Sequence, residues 1–475
     1  MAVVRVSRQS RPGLRVTAPS PGGSSEPTAW QRPVRGPRRT SADGPWHPAA
    51  RTWLRTAREA VRDPLRRPRV DMGLPGRNRH PSLLGRPAMA VAAMISILTT
   101  GSLAPPAQAA VFPIPDPDAF YWAPPNIADY RPGDVVRSRT VAAPGFPGAT
   151  AWQLVYRSSN SADAPIAAVT TVLVPGGVGN RPLVSYQPFV NSLGLHCAPS
   201  HSLFDGGLRE SAALNLLLAR GWAVAVPDHL GPASSYGAAR LGGRLTLDGV
   251  RAAKRFAPTG LADSPVGLAG YSGGGMATGF AAALAPEYAP ELPIVGAAMG
   301  GVPVNIGKLA LDVGATPNPL FGLGFAAAVG LEREYPDVMS LDARMTPAGH
   351  DLRGRIANAC TDEIIGAAAN RSFAEYFTGG VDDVSGAQIR VLHENSLETF
   401  AGAPRVPVYQ WHGGADVVNP WLARDVAGRY CASGTPVLFE IIPGADHGAA
   451  IAPGSANAFG YLGDRFAGLA PPNNC

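Results

Sequence analysis

The sequence predicts a doubly wound α/β domain: a mostly parallel sheet covered by helices on both faces, with a helical cap inserted late in the chain. Three observations carry this expectation. Short β-rich segments alternate with helix-length ones over residues 166–300 and again over 406–466, the pattern of parallel strands joined by crossover helices. Gly270-Tyr271-Ser272-Gly273-Gly274 stands between an apolar segment and an Ala-rich one, which reads as strand, sharp turn, helix. From about residue 301 to 392 no convincing strand appears, and helical apolar patches take over.

The elements follow in order. Residues 166–174 read as a strand ended by Pro175-Gly176-Gly177, and 183–186 as a second, followed by a long loop and a helix over 210–220. A buried strand at 222–226 runs into Pro227-Asp228-His229. Over 245–256, Leu247, Val250 and Ala253 fall on one helical face. A strand at 264–269 enters the Ser272 turn and a helix over 276–284 leaves it. Strands at 293–298, 406–411 and 437–442 come next, with helices over 420–431 and 457–466. Within the insertion, 309–313 and 321–331 are apolar and helical. A Gly- and Phe-rich cap over a serine site suits an apolar ligand, and 321–331 reads equally as lining and as cap core.

Charge divides the chain. Residues 1–109 hold 18 Arg, no Lys and 5 acidic residues, leaving 23 basic and 30 acidic residues in 110–475. The net +6 of the whole therefore belongs to the N-terminal part, and the balance of −7 over 110–475 argues against nucleic acid or an anionic membrane as partner. Residues 1–71 are rich in Arg, Pro, Ser and Gly without hydrophobic periodicity, the composition of a disordered extension. Residues 72–109 then have the build of a secretory signal peptide: Arg77, Arg79 and Arg86, an apolar run from Ala88 to about Leu103, and Ala107-Gln108-Ala109 as a cleavage site. The run is short for a membrane span and is followed by Pro105-Pro106. A signal segment this far into a chain is accounted for by translation starting at Met72. The expected mature protein, 110–475, is exported after cleavage near Ala109 and is long enough for one α/β domain with an insertion. Its four cysteines, Cys197, Cys360, Cys431 and Cys475, suit two disulfides in an exported chain, with three pairings open. No C-x-x-C or His-x-x-x-His cluster supports a metal site.

Ser272 is the candidate nucleophile. A serine hydroxyl needs a base to accept its proton, and the base needs an acid to hold its tautomer. After Ser272 two turns follow directly on predicted strands, Gly413-Gly414-Ala415-Asp416 and Pro443-Gly444-Ala445-Asp446-His447-Gly448. They place Asp416 and His447 at strand carboxyl ends, where doubly wound sheets gather chemistry. The order Ser, Asp, His is the one this architecture uses. His201 and His229 precede the serine, His350 and His393 fall in or near the cap, and His412 lies four residues before Asp416. Asp446 adjoins His447 and is poorly placed to face its ring. The backbone N–H of Gly273 is the expected first oxyanion donor, with a second from the loop near Val190-Asn191.

These residues bring a family into view. The chain resembles the secretory (LIP-type) lipases, which are α/β-hydrolases, over essentially the whole of 110–475. The resemblance is carried by Ser185-Tyr186-Gln187, Cys197-Ala198-Pro199-Ser200, Asp228-His229-Leu230-Gly231, Leu247-Asp248-Gly249-Val250-Arg251-Ala252, the turn at Ser272, and the turns holding Asp416 and His447. It implies a catalytic set of Ser272, Asp416 and His447 acting on carboxylic esters through an acyl-enzyme, without cofactor. It further implies the pairings Cys197–Cys360 and Cys431–Cys475, a cap between the sixth and seventh strands, and transient contact with a lipid interface but no obligate protein partner. One place departs from the family: where its pattern has an acidic residue in the loop before Cys197, this chain has Asn191. Asp228, Asp248 and Arg251 are expected to form an ion-paired network beneath the site. Besides a triacylglycerol lipase, a short-chain carboxylesterase and a non-catalytic binding protein on the same scaffold fit the resemblance.

Overall fold

The computed structural model describes residues 110–475 apart from 178–179 and 381–382. The Arg/Pro-rich extension 1–71 and the signal segment 72–109 expected from the sequence lie outside the described residues. Nine strands form one sheet in the order β1-β2-β3-β5-β4-β6-β7-β8-β9. These are β1 Val135–Val141, β2 Ala149–Ser159, β3 Pro165–Pro175, β4 Leu183–Gln187, β5 Ala223–Pro227, β6 Val266–Tyr271, β7 Ile294–Gly300, β8 Val408–Gly413 and β9 Val437–Ile442. From β5 onward every pairing is parallel, and β1, β2 and β3 join antiparallel at one end. β1 and β2 escape sequence reading because Arg137, Arg139, Gln153 and Arg157 interrupt their apolar runs. They form a long antiparallel pair, in which polar residues on one face are the norm.

Alternation along the central strands splits the core in two. Val266 and Leu268 of β6 face one cluster, and Ala269 and Tyr271 face the other. The first cluster is closed by α3 (Ala239–Arg255), α4 (Gly273–Tyr288) and α11 (Pro420–Ala432); the second by α1 (Pro199–Asp205), α2 (Ser211–Ala219) and α12 (Ile451–Phe466). Leu245, Leu247, Val250 and Ala253 of α3 are fully buried, as its spacing predicts. The helix nonetheless starts at Ala239, six residues before the sequence expectation. The ion network is narrower than expected. Arg251 pairs with Asp248 at 2.8 Å and Glu291 at 2.6 Å, whereas Asp228 accepts from the Ser200 N–H at 2.8 Å and its hydroxyl at 2.6 Å. Asp228 therefore anchors the start of α1.

Between β7 and β8 the described residues carry six α-helices and no named strand: α5 Ile306–Gly314, α6 Phe321–Glu334, α7 Pro347–Ile356, α8 Thr361–Ala368, α9 Phe373–Tyr376 and α10 Gly386–Glu394. They have their own core, built on Phe321, Phe325, Val329, Leu352, Ile356 and Ile364. The buried Arg333 of α6 fastens this layer to the rest. It donates to the carbonyls of Val111, Leu193, Ala233, Ser234 and Ala357, and burial pulls its pKa down to about 10. Cysteines pair Cys197–Cys360 and Cys431–Cys475. No helix among the described residues is long and apolar enough to cross a membrane.

Candidate active site

Ser272 sits at the junction of β6 and α4 with φ 53° and ψ −121°, a conformation costly for any residue with a Cβ. The junction closes because Gly270 and Gly274 have none: a Cβ on Gly270 would stand 2.5 Å from the Thr278 hydroxyl, and one on Gly274 would enter the Gln187 carbonyl. The Ser272 N–H donates to the Gly300 carbonyl at 2.8 Å, pinning the turn to β7. What this geometry does is lift the Ser272 hydroxyl out of the sheet's carboxyl edge.

β8 and β9 deliver its neighbours. The Asp416 side chain is fully buried in the turn after β8, and its Oδ1 accepts from the Val418 N–H at 2.8 Å. His447, in the turn after β9, places Nδ1 2.8 Å from Asp416 Oδ1 and Nε2 2.9 Å from Ser272 Oγ. The Tyr271 hydroxyl donates to the His447 carbonyl at 2.6 Å and so holds that turn from the strand beside the serine. Burial and the Asp416 charge push the Tyr271 phenol up, so it stays a donor. The other candidates lie elsewhere. His201 pairs with Asp116 at 2.7 Å, and His350 lies 3.6 Å from Asp342. His393 sits half-buried on α10. His229 is buried with neither ring nitrogen hydrogen-bonded. Asp446 is exposed and accepts from the Ala449 N–H.

Gly273 opens α4, where backbone N–H groups lack helical partners. Any Cβ on Gly273 would collide with the Asn191 amide oxygen, which places that side chain directly over the turn. Asn191 is buried, and its Oδ1 has no hydrogen-bond partner. Its backbone N–H is already committed, to the Thr361 hydroxyl at 3.3 Å. What Asn191 offers to the site is therefore its carboxamide, whose oxygen and nitrogen can exchange places by rotation. Sequence reasoning missed Thr361; the only available signal was its position next to Cys360, whose disulfide to Cys197 brings α8 to this loop. The loop is held from below as well. Glu210 accepts from the Phe189 N–H at 3.0 Å, and burial raises its carboxyl to about 8.

A cavity of about 300 Å³ opens at Ser272 and His447. It runs under the cap between Ile306, Leu309, Ala310 and Val313 of α5 and Leu323, Gly324 and Ala327 of α6. The segment 321–331 thus divides by face: Phe321 and Phe325 are fully buried cap core, and Leu323, Gly324 and Ala327 line the cavity. An apolar wall on two helices, with a hydroxyl, an imidazole and a carboxamide at its mouth, suits a substrate with a long apolar arm and one polar reactive group. His196 lies within 3.6 Å of both sulfurs of Cys197–Cys360, but disulfide sulfurs are not the thiolates a metal would need.

The chain is similar in sequence and fold to known proteins. The family model described as secretory lipase matches residues 209–474. Lipase A of Arthroderma benhamiae is 32% identical over 403 residues, covering 78% of this chain and 83% of its own. A probable inactive lipase of Mycobacterium tuberculosis is also 32% identical, over 75% of this chain and 83% of its own. The solved structure of Candida antarctica lipase A in its closed state aligns with a TM-score of 0.71 at 28% identity, covering 77% of this chain and 89% of that one. On the family match, the identity held over most of its length and the shared architecture, the chain belongs to the secretory lipase family and has the α/β-hydrolase fold.

Proposed function

We propose that this protein is an exported carboxylic ester hydrolase of lipase type, working through Ser272, His447 and Asp416. The observation that carries the reading is the unbroken chain of contacts from Asp416 Oδ1 to His447 Nδ1 at 2.8 Å and from His447 Nε2 to Ser272 Oγ at 2.9 Å, at the mouth of an apolar cavity. Ser272 Oγ attacks the ester carbonyl while its proton passes to His447 Nε2. Asp416 keeps the His447 Nδ1 proton in place and offsets the imidazolium charge. The tetrahedral oxyanion is met by the Gly273 N–H and the Asn191 carboxamide. Collapse expels the alcohol, which takes the proton from His447 and leaves an acyl-Ser272. Water, deprotonated by His447, then attacks the acyl carbonyl and releases the acid with Ser272 restored. Secretory family membership agrees with export, and cleavage near Ala109 is part of the same proposal.

Relatives are named secreted triacylglycerol lipases, and a long acyl chain is the arm the α5–α6 wall fits best. The test is hydrolysis of p-nitrophenyl esters from acetate to palmitate by wild type and Ser272→Ala. Loss of about 10⁴-fold or more in kcat is expected for the variant; unchanged hydrolysis would overturn the mechanism. Activity confined to acetate and butyrate would favour a short-chain carboxylesterase. No hydrolysis of any ester by wild type would favour a non-catalytic binding protein; one relative is named a probable inactive lipase.

A further inference from the structure

Asp416 has a second oxygen, and a second histidine faces it. Oδ1 serves both the Val418 N–H and His447. Oδ2 is buried without a hydrogen-bond partner. His412, at the end of β8, is also fully buried, and its Nδ1 has no hydrogen-bond partner either. These two unsatisfied atoms lie 3.8 Å apart. The other ring nitrogen is engaged: the Val302 N–H donates to His412 Nε2 at 3.3 Å.

That contact decides the tautomer. A nitrogen that accepts from an N–H carries no proton, so a neutral His412 must carry its proton on Nδ1. An imidazolium would set N–H against N–H at Val302. Burial lowers the ring's affinity for a second proton to a pKa of about 4; the Asp416 charge acts the other way, and His447 adds a smaller downward push. Asp416 and, beyond it, His447 are the titratable groups facing the ring; β9 contributes the Phe439 ring, stacked at 6.2 Å, and the loop after β7 the Val302 amide.

We infer that His412 is a positioning residue for the reaction: held as its Nδ1–H tautomer by the Val302 amide, it points its one donor at Asp416 Oδ2 and fixes the carboxylate that orients His447. A shift of about 1 Å brings the pair to ordinary hydrogen-bond length. The incentive is large, because a buried carboxylate oxygen left without a donor is costly, more so than a neutral group. The arrangement also explains why a histidine so close to the acid does not compete as base: its free lone pair is already used, and no path leads from it to Ser272. Val302 opens the connection into the cap, so the same imidazole links the root of the cap to the acid. This inference rests on the triad reading proposed above.

Two measurements test it. In the folded wild-type protein with ¹⁵N-labelled histidine, long-range ¹H–¹⁵N spectra assigned through the backbone should show His412 protonated on Nδ1 and bare on Nε2 between about pH 5 and 8. An Nε2–H tautomer or an imidazolium in that range would overturn the pairing, whether or not any variant folds. In His412→Gln, which retains an acceptor for Val302, kcat per active site, counted by titration with an organophosphate, should fall at least about tenfold with KM within about twofold. The acid limb of the kcat/KM–pH profile should move to higher pH, because Asp416 then concentrates its charge on His447. A merely structural role would lower the count of active sites and leave kcat per site and the limb where they were, and that result refutes the positioning role. Full activity in Ser272→Ala would bring down the triad reading and the positioning role with it, while the tautomer still reports independently on the His412–Asp416 pair.

Discussion

At the residue scale, the chain stores strain where the chemistry is proposed. Ser272 is one of four described non-glycine residues with positive φ, and it alone lies at a strand–helix junction. Its cost, of order 1–3 kcal/mol, is borne by the pin to Gly300 and by the close packing that two missing Cβ atoms permit. Ser272, Asp416 and His447 were legible because each follows a strand in the expected chain order. Asn191 was legible only as a position, and which of its groups faces the site was not. The Thr361 hydroxyl takes the backbone N–H and leaves the carboxamide. Asn191→Ala is therefore expected to cost about 10²–10³ in kcat with KM little changed. Steady-state kinetics normalised to titrated active sites checks this, and a kcat within twofold of wild type would exclude the carboxamide as a donor.

At the element scale, β3 to β9 and the helices between them outside the cap follow from periodicity, since a strand buried on both faces reads as a continuous apolar run. β1 and β2 do not, because an antiparallel pair tolerates Arg and Gln along its length. The cap helices were placed by the absence of strands, but their faces were undecided: every residue from 321 to 331 is compatible with core and with lining until a second helix is packed against one side. α5 supplies that packing partner. The α5–α6 wall leads to a prediction on chain length. Ala310→Phe fills the cavity between the helices, so hydrolysis of p-nitrophenyl palmitate should fall at least tenfold, a change of about 1–3 kcal/mol. Hydrolysis of the acetate should stay within about twofold, since its acyl group does not reach α5. Equal loss on both esters would mean that the acyl arm lies elsewhere.

At the scale of the whole molecule, the two disulfides have different work. Cys431–Cys475 closes 44 residues and ties the C-terminal residue to α11. Cys197–Cys360 closes 163 residues and joins the loop carrying Asn191 to α8, one residue from Thr361. Loop-closure entropy values them at about 4 and about 5 kcal/mol as upper bounds. Urea unfolding of Cys431→Ser/Cys475→Ser should show a lower midpoint with kcat at 25 °C unchanged. The Cys197→Ser/Cys360→Ser protein should lose both stability and kcat, because the Asn191–Thr361 contact loosens with it. Activity lost equally in both variants would deny Cys197–Cys360 any special part in holding the Asn191 loop. By itself the sequence determined the α/β architecture and the strand-end turns that carry Ser272, Asp416 and His447, because periodicity and turn chemistry are local properties that neighbouring residues express on their own. Only the tertiary structure decided which groups meet across elements: the Asn191 carboxamide over Gly273, the α5–α6 wall, and His412 behind Asp416. Those contacts join residues tens to hundreds of positions apart, or turn on a backbone amide's direction, and distances of that kind exist only once the chain is packed.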